Sequence, residues 1–531
     1  MPAVPPAPDP NPGSTPNPGP DLIVEAGHVL RGLDAAGAMI VDEGAAIRVE
    51  AGRVAEIGPR AEILRGREHL PRVGGPGMVA MPGLTNGHHH FGLTPLMAGV
   101  PFAPLELWLP RFRAMRQLPL RLDTLFSAIE MLESGTTCVH HIFSSLPADR
   151  EVWDETADAV LDAYEEIGMR AAFSWMIRDR NVLAYSPDAE VLGRMPGDLA
   201  AWAGAGLAAS RVPVSAQMDF FRRLKARREG ARPDHVRAAL APANLHWLSD
   251  GALEEIFGTA AEAGAPVHMH LLETRRQRDF ARERLGRGAV EHLHALGLLG
   301  ANVTLGHGNW MSEAELDIVA GCGCTICHNA SSGLRLGSGI APVNALRARG
   351  ARVALGIDQS NLVDDRDMNV EMKLVWALHR GAGMFGARPD AAAVLQMASE
   401  HGAVSAGFGG IAGRLEPGYA ADVALLDLAR IGRPRISPRT PIAEAVLHRG
   451  SRAAVETVLV GGRVVVQDGR VTGIDREAVM AEIDESLARP ETRAEAATWA
   501  MAERLVAHLE DEHRSRGFAD DPVPYRYNDL A

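Results

Sequence analysis

The spacing of apolar and polar positions divides the chain into β-rich ends and an alternating middle. Short apolar runs broken by glycine predict β-strands at 22–24, 46–49 and 53–57. The same pattern of short apolar runs recurs at 421–426, 457–460 and 463–466. Because these segments bracket a long middle region, we predict one small β domain built from both ends of the chain.

In the middle region, apolar strand-like runs alternate with helical patterns. Segments 122–134, 252–263 and 313–320 have the apolar spacing of helices, and Gly135 follows the first of them as a stop signal. Strand and helix alternation over about 300 residues is typical of a parallel sheet closed into a barrel. The predicted fold class is therefore α/β, a (β/α)8 TIM barrel with a small β-sandwich domain.

These sequence patterns also predict the domain boundaries. The barrel spans 80–411, and 21–79 together with 412–474 form the small β domain. Residues 1–20, rich in Pro, Asn, Gly and Asp, predict a disordered tail without the apolar core of a signal peptide. The Ala-, Glu- and Arg-rich stretch after 475 predicts a helical C-terminal extension, 475–531.

Composition restricts the partners. The chain has 531 residues, a hydrophobic fraction of 46% and a formal net charge of −13, which disfavours nucleic acid and anionic membrane surfaces as partners. It contains no apolar run long enough to span a membrane. Its four cysteines are too few for a disulfide framework, so we predict a cytoplasmic protein.

Ligand-type side chains stand at the ends of four apolar runs. On a strand, residues i and i+2 share a face, so His88 with His90, and His268 with His270, could each present two imidazoles to one interior. Further along the chain, apolar runs also end in a carboxylate or a histidine, at Glu273, His307 and Asp358. One pair alone would equally suit hydrogen-bonded polar residues at a strand end, but the combination indicates a metal site at one rim of the barrel.

Two similar patterns carry less weight. His292 and His294 lie in a helical pattern, so their rings should point to different sides. Cys324, Cys327 and His328 match the spacing for covalent haem attachment, but they lie in an apolar, strand-like run. We interpret both as features of packing or surface.

The order of motifs resembles the amidohydrolase superfamily, in the branch of cytosine, guanine and adenosine-type deaminases and chlorohydrolase-like triazine hydrolases. The resemblance rests on MPGLTNGHHH at 81–90, ESGTT at 133–137, HMHLLET at 268–274, GHG at 306–308, HNASS at 328–332, LGSGIAPV at 336–343, LGID at 355–358 and GRLEPG at 413–418. It spans about residues 22–470 and is specific for the family, not for the substrate.

The resemblance implies a mononuclear metal site. Its ligands would be His88, His90, His270 and Asp358, and its ion one divalent metal, usually zinc and in some members iron. Three imidazoles and one carboxylate suit zinc and leave room for a water. Sister branches bridge two metals with a carboxylated lysine, but this chain has only Lys225 and Lys373, neither at the end of an apolar strand run.

The resemblance also implies catalytic roles. Asp358 would accept a proton from the attacking water, and His307 would orient that water or polarise the group under attack. Glu273 would carry a proton to a ring nitrogen and then to the leaving group.

Departures from the family concern substrate recognition. The usual Asn-Pro-x-Ser-Asn is here Asn329-Ala330-Ser331-Ser332-Gly333, so two residues differ, and Ile357 stands where a threonine is common. Candidate substrate contacts are Trp108, His246, Trp310 and Asn361. For the tryptophans core packing or loop anchoring is an alternative, and for the histidine a structural role.

We therefore expect hydrolytic deamination of a small purine, pyrimidine or triazine by metal-activated water. The alternative is hydrolysis of a urea, carbamate or cyclic amide C–N bond that releases another amine. A non-catalytic scaffold with the same barrel is a third interpretation. A small-molecule substrate and a homo-oligomer are the partners that the resemblance implies.

Overall fold

A computed structural model describes residues 19–381 and 383–515. The predicted N-terminal tail lies outside these residues except for its last two positions, and so does the end of the predicted C-terminal extension. No helix in the two described ranges combines the length and apolarity needed to cross a membrane.

The strands are β1 (Leu22–Leu33), β2 (Met39–Glu43), β3 (Ala45–Glu50), β4 (Arg53–Pro59), β5 (Arg72–Pro82), β6 (Leu84–His89), β7 (Thr136–Phe143), β8 (Arg170–Ile177), β9 (Val236–Ala238), β10 (Ala241–Pro242), β11 (Val267–Leu271), β12 (Val303–His307), β13 (Thr325–His328), β14 (Arg352–Leu355), β15 (Val423–Asp427), β16 (Val455–Val460), β17 (Arg463–Gln467) and β18 (Arg470–Val471). The α-helices are α1 (Arg60–Leu64), α2 (Leu105–Ala114), α3 (Leu120–Glu133), α4 (Trp153–Ile167), α5 (Asp188–Leu192), α6 (Gly197–Ser210), α7 (Val214–Leu224), α8 (Asp250–Ala263), α9 (Arg275–Phe280), α10 (Ala289–Ala295), α11 (Glu313–Cys322), α12 (Ala330–Arg335), α13 (Val343–Ala348), α14 (Met368–Leu378), α15 (Ala391–Ala398), α16 (Glu400–Ser405), α17 (Leu428–Gly432), α18 (Ile442–Arg449), α19 (Arg476–Ala488) and α20 (Arg493–Ser515).

Both ends of the chain contribute to one nine-stranded sheet, in the order β18-β17-β16-β15-β5-β1-β3-β4, with β2 paired to β1. The two halves join where β15 runs antiparallel to β5. Its own apolar cluster, which includes Val24, Ile47, Val423 and Leu459, holds the sheet together. These strands include the segments predicted from the glycine-broken apolar runs; the two-layer sandwich stays a prediction.

The middle of the chain forms the predicted TIM barrel. Parallel pairing runs from β6 through β7 and β8 to β9 and β10, and separately from β11 through β12 and β13 to β14. Two isolated parallel bridges, Leu240 with Val267 and His89 with Asp358, connect these halves. Gly356 allows the second closure, because a Cβ there would lie 2.5 Å from the Cβ of His88.

Strand β11 shows how polar side chains come to line the barrel interior. All five of its residues are buried. Met269 and Leu271 belong to the main apolar core, whereas His268 and His270 contact other histidines. The period of two therefore sends alternate side chains to the helices and to the barrel interior.

The predicted helices correspond to α3, α8 and α11, within a few residues at each end. Gly135 follows α3 with a φ of 88°, a conformation that favours glycine. Ser249 and Ser312 cap α8 and α11 by accepting backbone N–H bonds. His292 is buried and His294 exposed on α10, as the helical interpretation of that pair requires.

A buried ion pair fastens the small sheet to the barrel. Arg170 at the start of β8 donates two hydrogen bonds of 2.9 Å to the carboxylate of Asp422, just before β15. Both side chains are essentially inaccessible to solvent, at 0% and 1% exposure. The same carboxylate accepts the Gly461 backbone N–H at 2.7 Å.

Replacing Asp422 with alanine is expected to lower the free energy of unfolding by about 3–5 kcal/mol, because it leaves a buried guanidinium without its counter-charge. The control is Glu166→Ala, which removes the partner of Arg121 in a pair whose side chains are 37% and 44% exposed. That loss should cost less than about 1 kcal/mol. Urea unfolding of both variants tests this, and equal midpoints would contradict the structural role of Asp422.

Helix α20 packs along the barrel rim. Arg111 on α2 binds the carboxylate of Glu503 through two hydrogen bonds of 2.6 and 2.7 Å. A second bidentate ion pair joins Arg194 to Glu512 through hydrogen bonds of 2.8 and 2.7 Å. These contacts place the last described helix against the loops that follow the barrel strands.

Candidate metal centre and active site

Six side chains from four parts of the barrel meet at the carboxyl ends of the strands. His88 and His90 come from the end of β6, His270 from β11, Glu273 from the turn after it, His307 from the end of β12 and Asp358 from just after β14. All six are buried. The structure thus brings together every residue to which the sequence assigns a metal-binding or catalytic role.

The other three candidate ligands lie around His90. The Nε2 atom of His90 lies 3.0 Å from His88 Nε2, 3.2 Å from His270 Nε2 and 3.2 Å from Asp358 Oδ1. His88 Nε2 lies 3.8 Å from the same carboxylate oxygen. Four donors at zinc bond lengths of about 2.0–2.2 Å in a tetrahedron would be about 3.3–3.6 Å apart. The donor types and these four distances fit one divalent ion.

The protonation of His88, His270 and Asp358 suits metal binding. Burial, and then the neighbouring imidazoles, hold the pKa values of His88 and His270 well below the usual value for histidine. Burial opposes ionisation of Asp358, but the contact with His90, supported by His307, lowers the pKa of that carboxyl overall. Neutral imidazoles and an ionised carboxylate offer lone pairs to a cation.

Outer contacts fix the orientation of the ligands. His88 Nδ1 lies 2.9 Å from His268 Nε2, and His90 Nδ1 lies 2.7 Å from the Ile142 carbonyl oxygen, to which it can donate. Ser332 donates its hydroxyl to Asp358 Oδ2 at 2.5 Å. Such contacts hold a metal ligand in one rotamer and one tautomer.

The contact of Ser332 with Asp358 was not predicted from the sequence. Ser332 occupies the serine position of the family's Asn-Pro-x-Ser-Asn, so it is not one of the two departing residues, Ala330 and Gly333, and its hydroxyl contacts the carboxylate of Asp358. No local spacing links positions so far apart in the chain. The matching HNASS motif was the available signal, and it did not reveal which side chain faces the carboxylate.

The backbone is strained at two of the site residues. His307 has a φ of 70° and Asp358 a φ of 66°, a region that costs a non-glycine residue about 1–3 kcal/mol. The Asp358 N–H donates to the His88 carbonyl at 2.8 Å, which holds this conformation. Strain of this kind concentrates at functional sites.

Glu273 lies next to a small acidic and hydroxyl cluster. Its neighbour Thr274 donates to Glu106 at 2.9 Å, and the Tyr185 hydroxyl donates to the same oxygen at 2.7 Å. Burial, followed by the charges of Asp358 and Glu106, raises the pKa of Glu273 well above the usual value. A buried carboxylic acid that stays protonated near neutral pH can act as a proton donor.

His307 completes the arrangement. Its Nε2 atom lies 3.9 Å from Glu273 Oε2, and burial lowers its pKa to about 4. The amide nitrogen of Asn329 lies 3.4 Å from its Nδ1 atom. A neutral imidazole between the acid and the ligand cluster can donate or accept one hydrogen bond.

The candidate substrate contacts lie in varied surroundings. Trp108 is 3% exposed and stacks on Phe112 with 4.8 Å between ring centroids. Trp310 donates its indole N–H to the Ser338 carbonyl at 2.6 Å, and the Asn361 side chain bonds within its own loop. His246 packs against the ring of Tyr185 at 4.4 Å. A substrate contact by any of the four stays a prediction.

Known proteins share this fold and sequence pattern. Residues 79–465 match the family model described as the amidohydrolase family. A 5-methylthioadenosine/S-adenosylhomocysteine deaminase of Pelotomaculum thermopropionicum is 28% identical over 442 residues, which are 82% of this chain and 92% of the relative. A 5'-deoxyadenosine deaminase of Methanosarcina mazei is 26% identical over 87% of this chain and 96% of its own.

Solved structures agree. An adenosine deaminase from Xanthomonas campestris with bound zinc superposes with a TM-score of 0.71 at 26% identity, covering 88% of this chain and 98% of that one. An atrazine chlorohydrolase from Arthrobacter aurescens, complexed with zinc, gives 0.73 at 22% identity, covering 88% and 100%. At that identity the second likeness shows the fold alone.

The matched region includes the whole barrel, the four donor side chains and the strands that close the small sheet. Family and relatives together indicate a hydrolase that acts on C–N bonds other than peptide bonds. The chain belongs to the amidohydrolase family.

Proposed function

We propose that this protein is a metal-dependent aminohydrolase that releases ammonia from the adenine ring of a 5'-modified nucleoside. The observation that carries the proposal is the buried acid Glu273 near His90, whose Nε2 atom lies within 3.2 Å of donor atoms of His88, His270 and Asp358. The similarity to deaminases of methylthioadenosine and 5'-deoxyadenosine supports this substrate class.

In this proposal His88, His90, His270 and Asp358 hold one zinc ion. Three imidazoles and one carboxylate are a donor set that zinc favours. When bound, the ion lowers the pKa of a coordinated water toward ~7 and so supplies a nucleophile at neutral pH.

The remaining steps belong to side chains. The Asp358 carboxylate, ionised and held by Ser332, accepts the proton of the attacking water. Glu273, protonated by virtue of its raised pKa, donates to the ring nitrogen next to the attacked carbon. His307, neutral at pH 7, hydrogen-bonds the attacking oxygen. Glu273, now ionised, takes the hydroxyl proton of the tetrahedral intermediate and passes it to the amino group, which leaves as ammonia as the C–N bond breaks and the C=O bond forms. Asp358 then releases its proton to solvent and Glu273 takes one up, which restores the site.

A coupled ammonia assay on the zinc-loaded protein tests the reaction. We expect turnover of 5'-deoxyadenosine or methylthioadenosine, and less or none of cytosine, guanine and aminotriazines. Release of another amine from ureas, carbamates or cyclic amides, with no ammonia from any heterocycle, would replace the proposal with the alternative hydrolase. Metal-free protein after purification without chelator would indicate a scaffold.

For the domains, we propose the limits 80–411 for the barrel, 21–79 with 412–474 for the small sheet domain and 475–531 for the helical extension. The pairing of β15 with β5 supports the second of these. The contacts of α20 with α2 support an extension that borders the active-site rim.

A further inference from the structure

A large cavity lies at the barrel rim, separate from the metal ligands. It has a volume of about 840 Å³, which is in the range of small-molecule sites. Its walls come from α2, α6 and α20 and from the segments that follow β7 and β8. Most of the lining is apolar and includes Phe112, Leu146, Trp202 and Leu207.

The charged groups of this cavity are predominantly cationic. Arg113, Arg178 and Arg211 line it, against the single carboxylate of Asp179. That carboxylate already accepts the backbone N–H and the hydroxyl of Ser249, at 2.9 and 2.5 Å. The cavity is therefore lined by more positive than negative side chains, in a chain whose net charge is −13.

Within residues 19–381 and 383–515, none of Arg113, Arg178 and Arg211 forms an ion pair. The charge of Asp188 acts on Arg113, where it opposes the lowering of the pKa by burial. Arg178 instead lies over the ring of Trp247 at 4.5 Å, and its Nε–H is buried without an acceptor. Burial, and then the nearby charge of Arg113, lowers the pKa of Arg178 to about 9. Arg178 and Arg113 are near enough for their charges to interact, and neighbouring guanidinium groups favour an anion.

The cavity borders a smaller cavity that lies nearer to the active site. It shares Leu109, Arg113 and Leu183 with a smaller cavity lined by Glu106, Tyr185 and His246. Glu106 bonds Thr274, the residue after the proposed proton donor. A ligand in the larger cavity therefore lies on the same side of the barrel as the metal centre.

We propose that this cavity binds a molecule with an apolar body and one carboxylate. The apolar walls would cover the body, and Arg178, with Arg113 and Arg211, would bind the carboxylate through charged N–H groups. Two sources share this chemistry, an acidic arm of the substrate and a separate small acid.

Calorimetry of the full chain with octanoate tests the site, with octanol as the neutral probe of the same length. We expect octanoate to bind at least about tenfold more tightly than octanol, because hydrogen bonds to charged groups contribute that much. Equal affinity for the two probes, or no binding of octanoate, would overturn the proposal.

Three variants make the test specific. Arg178→Met should weaken octanoate binding about tenfold or more, by the same reasoning, and should leave octanol binding nearly unchanged. Ala205→Trp, which adds bulk at an exposed lining position of α6, should weaken both. Arg282→Met removes an exposed charge away from the cavity and should change neither. Unchanged octanoate affinity in Arg178→Met protein with wild-type thermal stability would refute the site.

A competition experiment identifies the source of the ligand. If octanoate raises the KM for S-adenosylhomocysteine, which has a carboxylate arm, but not the KM for 5'-deoxyadenosine, which has none, the cavity takes an acidic arm of the substrate; if both KM values are unchanged, it takes a separate acid. Only this step rests on the proposed function. Failure of turnover with intact octanoate binding would count against the deaminase and not against the cavity.

Discussion

Replacing Glu273 with glutamine is expected to lower kcat by about 10²–10⁴-fold while the protein keeps one metal ion per chain. The amide preserves size and the hydrogen bond between the Glu273 backbone N–H and Gln277, at 2.7 Å. It cannot give up a proton, however, so the ring nitrogen would remain unprotonated. Steady-state kinetics together with elemental analysis of the purified variant check both parts.

The pH profile gives an independent readout of this role. Activity should require the protonated acid, so in the wild type it should fall as pH rises through the raised pKa of Glu273. The residual activity of Glu273→Gln should lack that alkaline decline. Glu254→Gln, at an exposed position of α8, serves as the control. If Glu273→Gln loses its metal, the residue is a ligand and the assigned role is wrong.

Removing the imidazole of His90 is expected to abolish stoichiometric metal binding and to reduce turnover by about 10³-fold or more, because metal-assisted activation of water is lost. His90 is the central donor, since its Nε2 atom lies within 3.2 Å of donor atoms of His88, His270 and Asp358. His90→Ala should therefore weaken metal binding more than the loss of a side chain that contacts only one of these donors. Elemental analysis and the ammonia assay measure the two effects.

His294→Ala provides the matched control, because that histidine is exposed on α10. Wild-type protein treated with a chelator should behave like His90→Ala and should recover on addition of zinc, whereas the variant should not. Full metal content in His90→Ala protein would show that the four donors do not enclose one ion.

The candidate ligands could be predicted from sequence because their signal is local. An apolar run that ends in His-x-His predicts a strand and places its two histidines on the same face. This pattern occurs at His88 with His90 and at His268 with His270. The pattern does not say which histidine of a pair approaches the other donors. In the structure His270 lies next to His90, whereas His268 contacts the Nδ1 atom of His88.

Other features had no local signal. The contact of Ser332 with Asp358 and the bond between Thr274 and Glu106 join residues brought together by barrel closure. The arginine-lined cavity is assembled from helices and loops distant in the chain. Periodicity cannot reveal such groupings, because it reports which face of an element is buried and not what lies opposite.

By itself, then, the sequence determined the alternation of strands and helices, the barrel that follows from it and the residue types at the strand ends, because each is encoded within a few neighbouring positions. Only the tertiary structure decided how far apart the donor atoms lie, which contacts orient them and which charges raise the pKa of Glu273. These properties depend on distances between residues remote in sequence, and the closure of the barrel sets those distances.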